Sequence, residues 1–285
     1  MPSDMQSLLS TFDPISLEET NQEARLLTRT DSKYMVPWDT FVDWARTLHA
    51  SHRILEIDNR RLFTYDTRYF DTSDLDLFRH HIQGRRRRFK IRTRQYVESK
   101  LSFLEIKLRG RRGETIKQRI PHDPDHIDEI GKEGHNFLDA CIRAQYNFDL
   151  NHTLVPTMQT LYRRATFVAR DGTDRITCDV DLNFVRCGES QALMRPSMVL
   201  VEIKSTKGRG PFDRALWHRG VRPAQGSKYC IGICLALTRE RSNRYLREIR
   251  TYFRKVDDHM ESHRSFPNVS FLGERPSDIK AGQLR

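Results

Sequence analysis

Between residues 85 and 120 the chain alternates polar and apolar positions in three successive runs, RRRRFKIRTRQY, SFLEIKLR and ETIKQRI. Period two is strand spacing, because successive side chains of a strand point to opposite faces. The breakers ESK and GRRGE have hairpin lengths. Further strands are predicted at FTYDTRYFDT, LYRRATFVA, DRITCDVDLNFV and SMVLVEIKST, with DGT as the turn between LYRRATFVA and DRITCDVDLNFV. SLEETNQEARLLTRTDSKYMV predicts a helix followed by a strand. PWDTFVDWARTLHA places Phe41, Val42, Trp44, Ala45 and Leu48 at amphipathic helical spacing, with Pro37 at the start and Asp39 in the first turn. LDLFRHHIQG predicts a short helix ending at Gly84. Residues 121–160 read as helical and irregular, NFLDACIRAQYNF most clearly; FDRALWHRG and SKYCIGICLALTRERSNRYLREIRTYFRKV supply the last helices. With no βαβ rhythm, and helices before, between and after the strand runs, the pattern predicts an α+β fold around an antiparallel sheet. A single domain is expected over residues 1–264, with residues 265–285, rich in Pro, Gly and Ser, as a flexible tail.

Separating the strand faces changes the picture. Arg88, Lys90, Arg92 and Arg94 alternate with Phe89 and Ile91. Glu105, Lys107 and Arg109 stand against Leu104, Ile106 and Leu108; Lys117 and Arg119 against Ile116, Gln118 and Ile120. Arg175, Thr177, Asp179 and Asp181 stand against Ile176, Cys178 and Val180; Glu202 and Lys204 against Val201 and Ile203; Arg164 and Arg163 take opposite faces. Like charges side by side on a sheet repel. For one strand a solvated surface explains the pattern; for five, a shared anion explains it better. If the sheet closes, the charged faces line a barrel whose apolar exterior is covered by helices.

Charge is concentrated where these strands lie. The net charge of the 285-residue chain is +11, yet residues 79–119 alone hold 15 lysines and arginines against three acids (Glu98, Glu105, Glu114), an excess of +12. Such a field implies a polyanionic partner: nucleic acid, anionic lipid or phosphate compounds. No apolar run approaches the roughly 18–20 residues of a membrane span, and MPSDMQSLLSTF lacks the layout of a signal peptide. Five scattered cysteines, without a CxxC, fit buried free thiols in a reducing cytoplasm rather than a zinc site. There is no nucleophile triad, Walker loop or HExxH. His80 and His81, adjacent in a helix, read as surface histidines. The run of arginines 85–88 lacks the aromatic partners of a nucleic-acid surface, and nucleic acid is not an expected partner.

Glu105, Asp179, Asp181 and Glu202 sit on the charged faces, where a plain polyanion binder gains nothing from them. Carboxylates beside phosphate-binding cations suit Mg²⁺ or Mn²⁺ shared with phosphate oxygens. The alternative, internal salt bridges, stands equally for Asp179 and Asp181; Glu202, in an otherwise apolar strand, is the better metal candidate. Ser227, Lys228 and Tyr229 open a helix whose dipole favours an anion.

RTDSKYMV, YFDT, KIRTRQY, LEIKLR, IKQR, YRRATF, RITCDVDL, LVEIKS and SKY, in this order, resemble the catalytic domain of the VTC (vacuolar transporter chaperone) polyphosphate polymerases. These belong to the triphosphate tunnel metalloenzymes, related to CYTH domains. The resemblance spans roughly residues 24–240; no single motif is specific, but nine in order are. It implies an antiparallel tunnel of about eight strands, ATP-dependent growth of polyphosphate, and a divalent metal. Lys33 falls on the phosphate-binding lysine of the first strand, Arg92 and Arg94 on the paired arginines, Lys107 and Lys117 on the next two strands, and Arg164 and Arg175 on the following pair. Glu202 takes the metal-ligand position and Lys228 that of the late-helix lysine. Where tunnel triphosphatases open with ExExK, this chain has RTDSK: Arg29 stands for the first glutamate and Asp31 for the second, which weakens a hydrolase reading. Eukaryotic members also carry an SPX sensor domain and transmembrane helices, which are not read in this sequence, so the resemblance does not carry over coupling to translocation or inositol-phosphate sensing.

The expected reaction is transfer of the γ-phosphoryl of ATP to the end of a polyphosphate chain, with Mn²⁺ or Mg²⁺. Arg92, Arg94, Lys107 and Arg164 are expected to act on the transferring phosphoryl; Lys33, Lys117, Arg175, Lys204 and Lys228 to hold substrate phosphates; Glu202 to hold the metal. The alternatives are a tri- or polyphosphatase of the same fold and a non-catalytic binder of polyphosphate or RNA.

Overall fold

A computed structural model describes residues 2–24, 30–150, 152–186, 191–206, 209–236 and 243–255. In chain order the elements are α1 (Pro2–Ser10), β1 (Pro14–Ile15), α2 (Leu17–Ala24), β2 (Thr30–Pro37), α3 (Trp38–Arg46), β3 (His52–Leu55), β4 (Phe63–Asp71) and α4 (Asp76–Ile82). Then follow β5 (Phe89–Tyr96), β6 (Leu101–Arg109), β7 (Thr115–His122), α5 (Lys132–Tyr146), β8 (Val155–Ala169) and β9 (Asp174–Val185). The last are β10 (Gln191–Met194), β11 (Met198–Ser205), α6 (Pro211–His218), α7 (Lys228–Ala236), α8 (Leu246–Tyr252) and β12 (Phe253–Lys255). The architecture is α+β with an antiparallel main sheet, as the periodicity predicts. The expected tail at 265–285, Arg29 and Cys187 lie outside the described residues. Among the described residues no helix is long and apolar enough to cross a membrane.

Eight strands pair in the order β2-β11-β9-β8-β4-β5-β6-β7. The hydrogen-bonded ring expected of a closed barrel is not completed: among the described residues β2 ladders only with β11, and β7 only with β6. The sheet is nonetheless curled. The charge of Lys33 on β2 acts on Lys90 of β5, and those of Glu202 and Lys204 on β11 act on Lys107 of β6. These residues are far apart along the strand order, so the charged face is the inside.

The outside is apolar and covered. Tyr34, Val36, Phe167, Ile176, Val199, Val201 and Ile203 pack with Met5 and Leu9 of α1, Phe41 and Trp44 of α3, and Leu216 of α6. Ile91, Leu104, Ile106 and Leu108 pack under Leu138, Cys141 and Ile142 of α5. That helix stops at Asn147, whose left-handed φ of 57° suits an asparagine terminator. Helix α7 is different. Its residues 229–235 are all buried, and Tyr229, Cys230, Ile233 and Cys234 join Met35, Met158, Leu182, Phe184 and Leu200, on the same sheet face as the charges. Gly232 makes the close seat: a Cβ there would stand 2.6 Å from the Phe184 ring. Gly232→Val is expected to destabilise the fold by about 1–3 kcal/mol through overpacking, read as a lowered midpoint of chemical denaturation.

Three sequence expectations need correction. Strand β8 begins at Val155, inside the stretch read as helical, because residues 155–160 pair with β4. Asp181 does not share the charged face of Asp179: the β8–β9 register shifts beside it and Asp181 adopts φ 52°, so its carboxylate turns to Arg163. A bulge of this kind moves the following side chains to the other face. His81 is not a surface residue; it is half-buried, its Nε2 lies 3.1 Å from the Phe89 carbonyl, and burial lowers its pKa to about 3.

Candidate active site

One wall of the interior is built by β5, β6 and β7, where the register sets Glu105 between Arg92 and Arg119, and Lys107 between Lys90 and Lys117. Glu105 is fully buried. It accepts from Arg92 Nε at 2.7 Å, and Lys117 Nζ lies 2.5 Å from its other oxygen. The carboxylate is thus consumed by its neighbours, which hold its pKa far below the usual range against the opposing effect of burial. Arg92 also donates to the Tyr69 hydroxyl at 3.2 Å. Arg94 is buried without a carboxylate within 4 Å among the described residues; its guanidinium lies 5.3 Å from the centre of the Tyr65 ring, with Thr67 Oγ1 at 3.4 Å.

The facing wall comes from β8, β9, β11, β2 and the first residue of α7. Arg164 grips Asp179 with two bonds, Nε–Oδ1 at 2.6 Å and Nη2–Oδ2 at 2.9 Å. Lys228 Nζ adds a third contact at 2.6 Å and stands 3.7 Å from Glu202 Oε1. Register sets Lys33 and Thr177 on either side of Glu202, and Asp31 and Arg175 on either side of Lys204. All ten predicted site residues therefore lie on the inner face: Arg92, Arg94, Lys107 and Lys117 on one wall, Lys33, Arg164, Glu202 and Lys228 on the other, with Arg175 and Lys204 farther along β9 and β11. A narrow cleft opens beside Lys33, Glu202 and Lys228, lined also by Met35, Leu182, Phe184, Leu200 and Phe253. The cleft is largely apolar, and the charge chemistry lies at its edge.

The carboxylates sort into two kinds. Both oxygens of Glu105 and of Asp179 are occupied by cations, so these are structural partners of the basic walls. Glu202 is held well below the usual carboxylate range by Lys228, Lys33, Arg164 and Lys107, which outweigh its burial, yet no cation comes closer than 3.7 Å among the described residues. It is ionised and has coordination capacity left. Among the described residues no three His, Cys, Asp or Glu cluster to hold a metal by protein alone. The donor set fits a hard cation shared between one carboxylate and substrate phosphates. The residues that sequence reasoning missed are Tyr65, Tyr69 and Tyr162. Tyr162 lies beneath both Arg164 and Lys228, with ring-centre distances of 5.2 and 4.7 Å. Their signal was only an inward position on β4 and β8.

The lysines record the mutual repulsion. Lys107 is pushed well below the ordinary lysine value, first by Arg92 and then by burial. Burial brings Lys117 down to about 8, with Glu105 opposing. Burial also lowers Lys90 and Lys204. A bound polyanion restores these protons, so binding takes up protons and affinity for polyphosphate is expected to fall as pH rises from 7 to 9. Stability of the anion-free fold moves the other way, rising between about 8 and the ordinary lysine value, because the unfolded chain binds more protons there. Calorimetric titration in buffers of different ionisation enthalpy measures the uptake directly; affinity independent of pH would contradict it.

No curated protein sequence matches the chain. A putative adenylyl cyclase from Hippeastrum, described as having a dominant triphosphatase activity, is similar at 14% identity and TM-score 0.47, over 74% of this chain and 97% of that one. A putative adenylate cyclase from Bacillus halodurans is similar at 12% identity and TM-score 0.42, over 70% of this chain and 94% of the other. The family model for the VTC domain matches residues 28–237, from just before β2 to just after α7, and so takes in both walls and Lys228. The chain belongs to the VTC domain family.

Proposed function

We propose that this chain is an ATP-dependent polyphosphate polymerase, transferring the γ-phosphoryl of ATP to the end of a phosphate chain held inside the curled sheet. The observation that carries the reading is the inner face itself. Arginines and lysines cover both walls, two carboxylates are spent on neighbouring cations, and Glu202 stays ionised with its nearest cation, Lys228, 3.7 Å away. Phosphoryl transfer asks the protein for positioning and charge neutralisation rather than covalent chemistry. Arg92, Arg94 and Arg164 offer forked donors to phosphate oxygens; Lys33, Lys107, Lys117, Lys204 and Lys228 offer movable point charges, and Arg175 extends the basic surface along β9. Glu202 would hold Mg²⁺ or Mn²⁺ together with phosphate oxygens, and that ion supplies neutralisation between the phosphates. The attacking terminal oxygen is already anionic, so the walls need only align it and no general base is required. Departure of the first ExExK glutamate fits a phosphate rather than water as acceptor. The buried, unbridged Cys141, Cys178, Cys230 and Cys234 agree with a reducing, cytoplasmic setting.

Incubation with ATP and Mn²⁺, followed by gel separation of phosphate chains, tests the reading. Long chains are expected; free phosphate alone would indicate a phosphatase, and neither product a binding protein.

A further inference from the structure

The basic ladder does not stop where the strands end. On the inner face it runs from Arg92 and Glu105 to Lys90 and Lys107, and one step further Arg88 meets Arg109 across the hairpin, with the Arg109 amide donating to the Arg88 carbonyl at 3.1 Å. The Tyr146 hydroxyl, reaching from α5, accepts from the Arg109 amide at 2.8 Å and lies 2.9 Å from the Arg88 carbonyl, pinning the two chain ends together. Beyond this point the loop before β5 adds Arg85, Arg86 and Arg87, and the β6–β7 turn adds Arg111 and Arg112, all exposed. Seven arginines therefore share one edge of the sheet with a single acid, Glu114, whose carboxylate accepts from the Arg112 backbone.

The partners of these side chains are neutral. Arg85 donates to the Gln83 side chain, Arg88 to backbone carbonyls, and Arg87 lies over the Phe148 ring. Among the described residues none of the seven forms an ion pair, whereas Arg46, Arg61, Arg143, Arg163 and Arg170 elsewhere on the molecule each do. Folding gains nothing from massing unpaired guanidinium groups at one edge, so the arrangement calls for an external anion in register with the interior.

We propose that this arginine rim is a second polyanion site, which holds the part of a phosphate chain that has already left the interior. The inference rests on the interior reading given above and adds to it a sensitivity to chain length. From Arg92 to Arg88 is about 13 Å along the strand. A triphosphate seated at Arg92 and Lys107 does not span that distance, while a longer chain following the ladder reaches the rim and gains several more charge contacts.

The experiment compares the unmodified protein with two variants, R85S/R86S/R87S and R111S/R112S, whose exposed positions leave the core untouched; a thermal melt checks each, and either variant alone suffices. Affinity for tripolyphosphate, long-chain polyphosphate and a single-stranded RNA of similar charge is measured over a range of salt. The unmodified protein should bind the long chain more tightly and with the steeper salt dependence. The variants should lose about tenfold on the long chain with a shallower salt slope, and less than about twofold on tripolyphosphate. Equal losses on both phosphates, or an undiminished preference for the long chain, would overturn the rim while leaving the interior reading in place. A loss on RNA with the long phosphate chain unaffected would overturn it in favour of a nucleic-acid surface. Failure of the unmodified protein to bind either phosphate would overturn the interior reading and the rim with it.

Discussion

Replacing Arg94 with alanine is expected to lower chain synthesis by about a hundredfold, the loss typical of one preorganised charge-stabilising donor, with the melting temperature nearly unchanged. Arg94 is buried, repelled by Arg92 and attracted by the more distant Glu105, and among the described residues its near partners are the Tyr65 ring and the Thr67 hydroxyl. Its removal breaks no ion pair, because Glu105 keeps its contacts with Arg92 and Lys117. Arg92→Ala should abolish synthesis too, but at the expense of the fold. Among the described residues, fully buried Glu105 would keep only Lys117 within ion-pair distance, and breaking a buried pair costs about 3–5 kcal/mol. Arg86→Ala, at the exposed edge, should change turnover by less than about twofold. Turnover and melts for the three variants decide the matter. Equal losses at all three with unchanged melts would mean a diffuse field in place of an ordered site.

Glu202→Gln is the second large effect. The substitution keeps the side chain's size and removes its charge, so turnover that depends on divalent metal should fall by at least about a hundredfold. Polyphosphate binding without metal should persist and even tighten, because a negative charge has left a positive interior. The fold should survive: Lys228 keeps its 2.6 Å contact with Asp179, and its distance to Glu202 is already 3.7 Å. A melt lowered together with both binding and turnover would make Glu202 a structural counter-ion. An unchanged melt with full turnover would remove it from the site altogether.

The strands carrying the site were legible because each is charged on one face and apolar on the other, a pattern only period two produces. That reached Arg92, Arg94, Lys107, Lys117, Arg164, Arg175, Glu202 and Lys204. Lys33 and Lys228 stand alone in their segments and owed their selection to family resemblance. Glu105 and Asp179 looked like possible metal ligands; only the cross-strand register shows their oxygens taken by Arg92, Lys117, Arg164 and Lys228. Asp181 was misplaced because one bulged residue reverses every face beyond it. The seat of α7 was also illegible: an all-apolar helix announces burial, but the fit of Gly232 against Phe184 is a contact between distant segments. The short strands β1, β3, β10 and β12, with two to four residues each, are too brief for periodicity to register.

In the proposed reaction phosphate, and not water, accepts the γ-phosphoryl group. Phosphorus NMR of the unmodified protein with ATP and Mg²⁺ reads this in one time course. ADP should accumulate in step with mid-chain phosphate resonances, with orthophosphate a minor product. Orthophosphate rising one for one with ADP, and no mid-chain signal, would contradict it.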